Sequence, residues 1–223
     1  MWCACRLREK PTAAAATASS VSKLLALYRF HPATVSSQDL TFNGYINKDA
    51  TKLMQRFKGV VLDKYNPLAT MSDGNCTYRA VPLALFGVQD LHVYVRVLAA
   101  LEMLSFAQSY DIKSASCVLK DERILTSQYS VLLQDVLTVG RFAELIHLYA
   151  IISAFNVTFT SYVPPSSAVG LATSPYSTLV VGRNVRPSSE PAFIVMWSTL
   201  TPDVASPVFN HVVLLLERVH LRL

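Results

Sequence analysis

Four short runs of β-branched and aliphatic residues in the last third of the chain constrain its fold most strongly. Their sequences are "NVTFTSYV", "TLVVG", "AFIVMW" and "HVVLLLER", and Gly, Pro, Ser or Asn residues separate them. This composition and spacing are typical of β-strands. We therefore expect one small sheet, formed by the C-terminal part of the chain.

Helical patterns fill most of the chain before these strands. The segment "YNPLATMSDGN" interrupts them, because Pro67 and the turn signal Asp73-Gly74-Asn75 break the apolar periodicity, and it is predicted to be a loop. Helices first and strands last indicate an α+β fold, or an α/β fold with one small sheet flanked by helices. The predicted helices are "SVSKLLALYRF", "NKDATKLMQRFKGVVLDKY" with Asn47 as its cap, "CTYRAVPLALFG", "DLHVYVRVLAALEMLSFAQSY", "SQYSVLLQDVLTVG" and "RFAELIHLYAIISAF".

The composition is that of a globular protein with one ordinary domain. The chain has 223 residues, of which 52% are hydrophobic and 16% charged. Its net charge of +5 comes from scattered Lys and Arg residues without a long basic run. Such a surface permits weak attraction to nucleic acid, but an ordinary solvated basic surface is the favoured interpretation. Residues 1–20, rich in Ala, Ser and Thr, are predicted to be a disordered leader, followed by a helical extension over 21–44.

The cysteines indicate a reducing compartment, and hence a cytoplasmic or nuclear location. There are four of them, too few and too irregularly spaced for a disulfide framework, and none forms the CxxC pair of a zinc site. No stretch of 18 uncharged apolar residues predicts a membrane span. We therefore expect no metal, no cofactor and no membrane partner. The cysteines are Cys3, Cys5, Cys76 and Cys117.

Cys76 stands where a protein would expose a reactive thiol. It follows Asp73-Gly74-Asn75 and opens a predicted helix, whose dipole and free N–H groups lower a thiol pKa and can bind an oxyanion. A cysteine nucleophile also needs a base. Of five histidines, His211 is the best candidate, because it opens an apolar strand after a Pro-containing loop. The others are His31 and His220, expected at the surface, and His92 and His147, expected within helices as ordinary, partly buried residues.

Three sequence blocks resemble the OTU (ovarian tumour) family of deubiquitinating cysteine proteases. "SDGNCTYRAVPLALFG" resembles the cysteine motif, "RFAELIHLYAIISAFNVTF" resembles the family's helix-to-strand segment, and "FNHVVLLLE" resembles the strand with the catalytic histidine. The blocks occur in the family's order and cover residues 45–219, which leaves 220–223 as a tail. "DGNC…RAV…ALFG" is also similar to vertnin-like and transposon-derived relatives.

The resemblance implies a papain-like fold and hydrolysis of isopeptide bonds at the C-terminus of ubiquitin. Ubiquitin or ubiquitinated proteins would be the partners. Cys76 would be the nucleophile and His211 the general base. Asp73 would be the acid of the motif, in a loop that forms the oxyanion hole together with Gly74, Asn75 and Cys76. The N–H groups of Asn75 and Cys76 would be its donors.

The residue that would orient His211 is not evident. Many family members have Asp or Asn two positions after the histidine, where this chain has Val213. Asn210 points to the opposite face of the strand and is a poor substitute. Asp63 and Asn66, upstream of the cysteine, are the other candidates.

Two further departures favour a second hypothesis, that the domain is catalytically inactive. Pro82 lies inside the predicted cysteine helix, where it removes a backbone hydrogen bond. The family's usual Trp before the downstream helix is absent, and Val139-Gly140-Arg141 stand there instead. The alternative function is a regulatory module, vertnin-like or transposon-derived, that binds proteins or associates with chromatin.

Overall fold

The computed structural model describes residues 46–57, 62–119, 128–165, 177–183, 191–199, 202 and 209–217. These residues belong to one compact unit, Pro32–Leu223. The predictions for the leader, for the helical extension and for His31 and His220 lie outside the described residues. Within the described part, no helix is long and apolar enough to cross a membrane.

A five-stranded mixed sheet forms the centre of the fold, in the order β1-β5-β4-β2-β3. Only the β2–β4 pair is parallel among the four pairs of neighbours. The four predicted strands are confirmed as β2 to β5. The strands are β1 (Tyr65–Leu68), β2 (Thr158–Tyr162), β3 (Thr178–Val181), β4 (Phe193–Ser198) and β5 (His211–Glu217).

Six helices accompany the sheet in the described residues. The predicted cap is confirmed, because the Asn47 side chain accepts a hydrogen bond from the Ala50 N–H at 2.8 Å. The helix that begins at Cys76 runs through Pro82 to Phe86 without a break. The helices are α1 (Lys48–Met54), α2 (Cys76–Phe86), α3 (His92–Ser105), α4 (Ala107–Tyr110), α5 (Tyr129–Leu137) and α6 (Leu145–Phe155).

The helix predicted from Asn47 ends at Met54, and two further predictions of secondary structure were wrong in detail. Tyr65–Leu68, expected to be the end of a helix and the start of a loop, is the edge strand β1. An edge strand tolerates Pro67, because its missing N–H need not pair within the sheet. The long helix predicted from Asp90 is broken at Phe106 into α3 and α4.

Strand β5 supplies both faces of the sheet with apolar side chains. Val212 and Leu214 belong to a large core that includes residues of α2, α3, α5 and α6. Val213 and Leu215 belong to a smaller apolar cluster with residues of α1. This alternation confirms an α+β fold with a sheet flanked by helices.

Candidate functional site

Cys76 is the first residue of α2, and its side chain is only 3% exposed. Its Sγ lies 3.9 Å from the backbone carbonyl oxygen of Asn210, to which the thiol donates a long hydrogen bond. Asn210 directly precedes His211, so the fold brings the thiol to the beginning of β5 from 134 residues away. Within the described residues, no hydrogen bond joins the thiol to the His211 ring.

Burial sets the direction of the pKa shift at this thiol. The pKa of Cys76 is raised, chiefly by burial, although the backbone N–H groups of Val212 and Thr77 act in the opposite direction. The sequence had indicated a lowered pKa, because it showed the helix start but not the depth of the side chain. Burial also lowers the pKa of His211, which is 2% exposed. In this arrangement both groups are neutral near pH 7.

The His211 ring lies against Thr70. Its Nε2 is 3.4 Å from the Thr70 Oγ1, and the Thr70 hydroxyl donates a hydrogen bond to the Val212 carbonyl at 2.6 Å. Thr70 is buried, and it follows strand β1. Sequence reasoning did not find this residue, because threonine is chemically ordinary and no motif marks it.

The three residues considered as orienting partners of His211 are placed elsewhere. Asn66 pairs with Leu216, five residues along β5 from His211 and therefore roughly 17 Å away along the strand. Asp63 is exposed and precedes β1, beyond Asn66. Asn210 is exposed, and its backbone carbonyl is the group that contacts the thiol.

Val213 occupies the position two residues beyond the histidine. Its side chain is fully buried in the apolar cluster shared with α1. An aliphatic side chain offers no hydrogen bond to an imidazole. The described structure therefore leaves Thr70 as the hydrogen-bonding side chain at the His211 ring.

Asp73 forms an ion pair with Arg79. The Arg79 Nη2 lies 2.6 Å from the Asp73 Oδ2, and its Nε contacts both carboxylate oxygens. This guanidinium holds the pKa of Asp73 far below its usual value. Asp73 also accepts a hydrogen bond from the Asn75 N–H at 3.0 Å. The Asn75 N–H, expected to bind an oxyanion, is therefore already used, whereas the Cys76 N–H has no partner among the described residues.

A buried arginine also binds the loop Asp73-Gly74-Asn75, which precedes Cys76 and is called the cysteine loop below. Arg96, on α3, donates from Nε to the Asn75 Oδ1 at 2.9 Å and stacks over the ring of Tyr78. Its other nitrogens donate to four backbone carbonyls. The guanidinium thus connects the cysteine loop, the end of α5 and the segment before α6. The four carbonyls belong to Gly74, Asp135, Val136 and Arg141.

Two glycines meet where the cysteine loop contacts the segment before α6. The Gly140 N–H donates to the Asn75 Oδ1 at 2.9 Å. A Cβ at Gly74 would lie 1.8 Å from the Gly140 carbonyl oxygen, and Gly74 has a φ of +78°. Both the close approach and the backbone angle therefore require glycine at position 74. The sequence singled out the segment Val139-Gly140-Arg141 only because the family's usual Trp is absent there. In the structure, this segment contacts the cysteine loop and helps to hold it in place.

We expect Gly74→Ala to displace the cysteine loop. Gly140→Ala is the matched control, because Gly140 also has a positive φ, +87°, but a Cβ there would meet its nearest atom at 3.5 Å. The control should lose roughly 1–2 kcal/mol for the left-handed backbone alone. Gly74→Ala should lose more, since its methyl group cannot fit against backbone. Urea unfolding of both variants measures the difference, and equal losses would contradict this account.

No group of three or more His, Cys, Asp or Glu side chains that could hold a metal ion occurs in the described part of the chain. Cys117 is a buried free cysteine, as is Cys76. The candidate site consists of the Cys76 thiol, the His211 imidazole and the Thr70 hydroxyl. Arg79 and Arg96 hold the adjacent loop, Asp73-Gly74-Asn75.

Comparison with known proteins identifies the fold and the family. A comparison with curated protein sequences finds no significant match. Among solved structures, h/ceOTUB1 in complex with ubiquitin aldehyde and UBC13~Ub matches with a TM-score of 0.50 and 10% identity, over 91% of this chain and 96% of that one. The OTUD1 OTU domain matches with a TM-score of 0.47 and 16% identity, over 75% and 91% of the two chains. The Hazara virus OTU bound to ubiquitin matches with a TM-score of 0.47 and 11% identity, over 72% and 86%.

The fold, which the OTUB1 structure shares, is the papain-like fold of OTU domains, as the sequence blocks indicated. The family model described as the Vertnin OTU domain matches residues 67–198, which is more than half of the chain. The match includes the cysteine loop, α2 and the arginine that supports them. The chain therefore belongs to the Vertnin OTU-domain family.

Proposed function

We propose that this domain is a thiol hydrolase that cleaves isopeptide bonds at the C-terminus of ubiquitin, with Cys76 as nucleophile and His211 as general base. One observation carries the proposal. Cys76 Sγ, at the N-terminus of α2, lies 3.9 Å from the carbonyl of the residue that precedes His211. A thiol at a helix start, close to the beginning of a distant strand whose first residue is a histidine, is consistent with the arrangement of a cysteine hydrolase.

The chemistry follows from the groups present. His211 would take the proton of the Cys76 thiol as sulfur attacks the scissile carbonyl carbon, and would later give it to the departing lysine amine. The Cys76 N–H, which has no partner among the described residues, would donate to the oxyanion that forms on the carbonyl oxygen. Water would then hydrolyse the thioester, releasing the carboxylate of ubiquitin and restoring the thiol. Asp73 would take part by fixing the loop through Arg79 and the Asn75 N–H.

The charge state of the site bears on its rate. Burial raises the pKa of Cys76 and lowers that of His211, so the resting pair is a neutral thiol and a neutral imidazole. Proton transfer would then accompany attack instead of preceding it. We therefore expect a slower reaction than that of a preformed thiolate–imidazolium pair.

Ubiquitin as the partner rests on the family and on the fold. The solved OTUB1 structure of similar fold is a complex with ubiquitin aldehyde. A C-terminal aldehyde occupies the position of the carbonyl that a cysteine nucleophile attacks. By the same chemistry, the carbonyl of the ubiquitin C-terminus would be the group that Cys76 attacks.

A second candidate function is a binding module that does not catalyse. Three observations favour it. The side chains of Cys76 and His211 are buried, and the thiol is hydrogen-bonded to the Asn210 carbonyl. Val213 stands where many family members have the residue that orients the histidine. Such a module would bind ubiquitin or another protein without using Cys76.

A ubiquitin probe with a thiol-reactive group at its C-terminus separates the two functions. We expect the wild-type protein to form a covalent adduct of one ubiquitin per chain, visible as a mass increase. Cys76→Ala should abolish the adduct and His211→Ala should slow it by about 100-fold or more. Cys117→Ala is the matched control, because Cys117 is also a buried free cysteine. This variant should form the adduct at the wild-type rate.

Absence of an adduct with a folded wild-type protein would overturn the hydrolase proposal. Ubiquitin binding that is unchanged in Cys76→Ala and His211→Ala would then support the binding module. An adduct that persists in Cys76→Ala but disappears in Cys117→Ala would show that another thiol reacts.

A further inference from the structure

We propose that Thr70 is the positioning residue that fixes the tautomer of His211, and that it does so from a different position than the Asp or Asn of related sequences, which here is Val213. The catalytic role of Thr70 rests on the proposed function. The contacts of Thr70 in the structure do not depend on that function. The Thr70 Oγ1 contacts two groups at once, the His211 Nε2 at 3.4 Å and the Val212 carbonyl oxygen at 2.6 Å.

The tautomer follows from counting protons. A threonine hydroxyl has one proton, and a carbonyl oxygen can only accept. The short contact therefore assigns the Thr70 proton to Val212, and the Thr70 oxygen has only lone pairs left for His211. The contact at 3.4 Å is consequently an Nε2–H donating to Thr70, and this bond is long and weak, because N–H···O bonds usually measure about 2.7–3.2 Å. Nδ1 is then the unprotonated ring nitrogen.

Hydrogen bonds to the residues before and after Thr70 hold it in this position. The Gln89 side chain donates to the Ala69 carbonyl at 3.0 Å and accepts from the Met71 N–H at 3.2 Å. The antiparallel register of β1 with β5, in which Leu68 pairs with Leu214, places Thr70 opposite Val212 when continued by two residues. The hydroxyl thus extends the pairing of the two strands beyond the end of β1.

The tautomer matters because only an unprotonated ring nitrogen can accept a proton. Under the proposed function, Nδ1 would be the ring nitrogen that takes the Cys76 proton, and the imidazolium that forms would keep its Nε2–H bond to Thr70. Without the Thr70 oxygen, the alternative Nδ1–H tautomer competes. Thr70 therefore acts on the reaction through His211 and touches no reacting atom itself.

The tautomer of His211 can be measured directly in the protein without ubiquitin. Two-dimensional NMR of ¹⁵N-labelled imidazoles distinguishes the two neutral forms, and His211→Gln identifies the signals of His211. His147 provides an internal reference, because its Nδ1 accepts from the Glu144 N–H and its Nε2 therefore donates to the Leu132 carbonyl. We expect His211 to give the same Nε2–H pattern as His147. An Nδ1–H pattern in the wild type would overturn the proposal without any variant.

Substitutions then test whether Thr70 is the cause. Thr70→Val keeps the shape and removes the hydroxyl, and should mix or reverse the tautomer, whereas Thr70→Ser should preserve it. Ser198→Ala is the matched control. Ser198 pairs with His211 on β4, and its buried hydroxyl has no hydrogen-bond partner among the described residues. A tautomer that survives Thr70→Val, or that changes in Ser198→Ala instead, would contradict the assignment.

The adduct rate provides the second measurement. Thr70→Val should slow reaction with the ubiquitin probe by about tenfold or more, since the wrong tautomer cannot act as base, while Thr70→Ser should restore most of the rate. If the wild type forms no adduct but has the Nε2–H tautomer, the hydrolase proposal fails and this assignment stands. If it forms an adduct with the Nδ1–H tautomer, the assignment fails and the hydrolase stands.

Discussion

Replacing Arg96 by methionine should lower the free energy of unfolding by about 3 kcal/mol or more, because it leaves several buried acceptors without a donor. The guanidinium donates to the Asn75 side chain and to four backbone carbonyls, and it is almost fully buried. Methionine has a similar length and fills much of the same volume, so the loss reports mainly on hydrogen bonds. Urea unfolding at neutral pH, followed by circular dichroism, measures it.

Arg141→Met is the control for losing a positive charge. The Arg141 side chain is 68% exposed and lies 3.8 Å from the Asp135 carboxylate. Exposed ion pairs contribute little, so this variant should change stability by less than about 1 kcal/mol. Arg96→Lys should behave like Arg96→Met, because one ammonium group cannot reach acceptors on three segments. Equal losses in Arg96→Met and Arg141→Met would show that the buried network contributes no more than an exposed charge.

The same substitution has a functional consequence. Asn75 Oδ1 accepts from both Arg96 and the Gly140 N–H, and Asn75 immediately precedes Cys76. Loss of Arg96 should therefore loosen the start of α2 even at temperatures where the domain is folded. Under the proposed function, adduct formation with the ubiquitin probe should fall in Arg96→Met and stay unchanged in Arg141→Met.

Local sequence signals were enough to predict most helices and strands. Asn47 predicted the start of α1, and short β-branched runs predicted β2 to β5. These signals work because capping and apolar periodicity act between residues that are close in the chain. The strand Tyr65–Leu68 was missed because it is short, contains Pro67 and is defined only by its pairing with β5.

The candidate site was predictable only where a motif marks it. The Asp-Gly-Asn-Cys motif and the strand-opening histidine made Cys76 and His211 the candidates, and their catalytic roles stay a prediction. Arg96 and Thr70 were missed, because their roles arise from contacts across the fold. Arg96 bonds to Asn75 across 21 positions of the chain, and Thr70 contacts His211 across 141. The residues near Arg96 and Thr70 in the sequence give no sign of these contacts. The register of β1 with β5, which positions Thr70, was also not predicted.

The second large effect expected is a loss of stability in mild acid that is due to His147. This residue is fully buried in α6, with both ring nitrogens hydrogen-bonded, and burial lowers its pKa from 6.5 to about 4. The nearby Asp135 carboxylate acts against this shift and the Arg96 guanidinium acts with it. The folded protein therefore keeps His147 neutral at a pH where the unfolded chain has already bound a proton.

The sign of the effect follows from that difference. A group with a lowered pKa in the folded state contributes its full stability above its unfolded pKa, and this is lost as pH falls towards the folded pKa. Between pH 6.5 and about 4 the free energy of unfolding should fall by about 3 kcal/mol through His147, since one pKa unit corresponds to about 1.4 kcal/mol. His211, whose pKa is also lowered by burial, adds to the loss in the same direction.

Two glutamine variants separate the histidines. His147→Gln should reduce the stability at neutral pH but flatten its dependence on pH between 6.5 and 4, because the titrating group is gone. His211→Gln should leave the larger part of the slope in place. Urea unfolding over this pH range measures both, and NMR titration of the folded wild type should show His147 unprotonated until the pH approaches 4. A slope that persists unchanged in His147→Gln would assign the acid sensitivity to other groups, and would mean that the pKa of this imidazole is nearly the same in the folded and the unfolded chain.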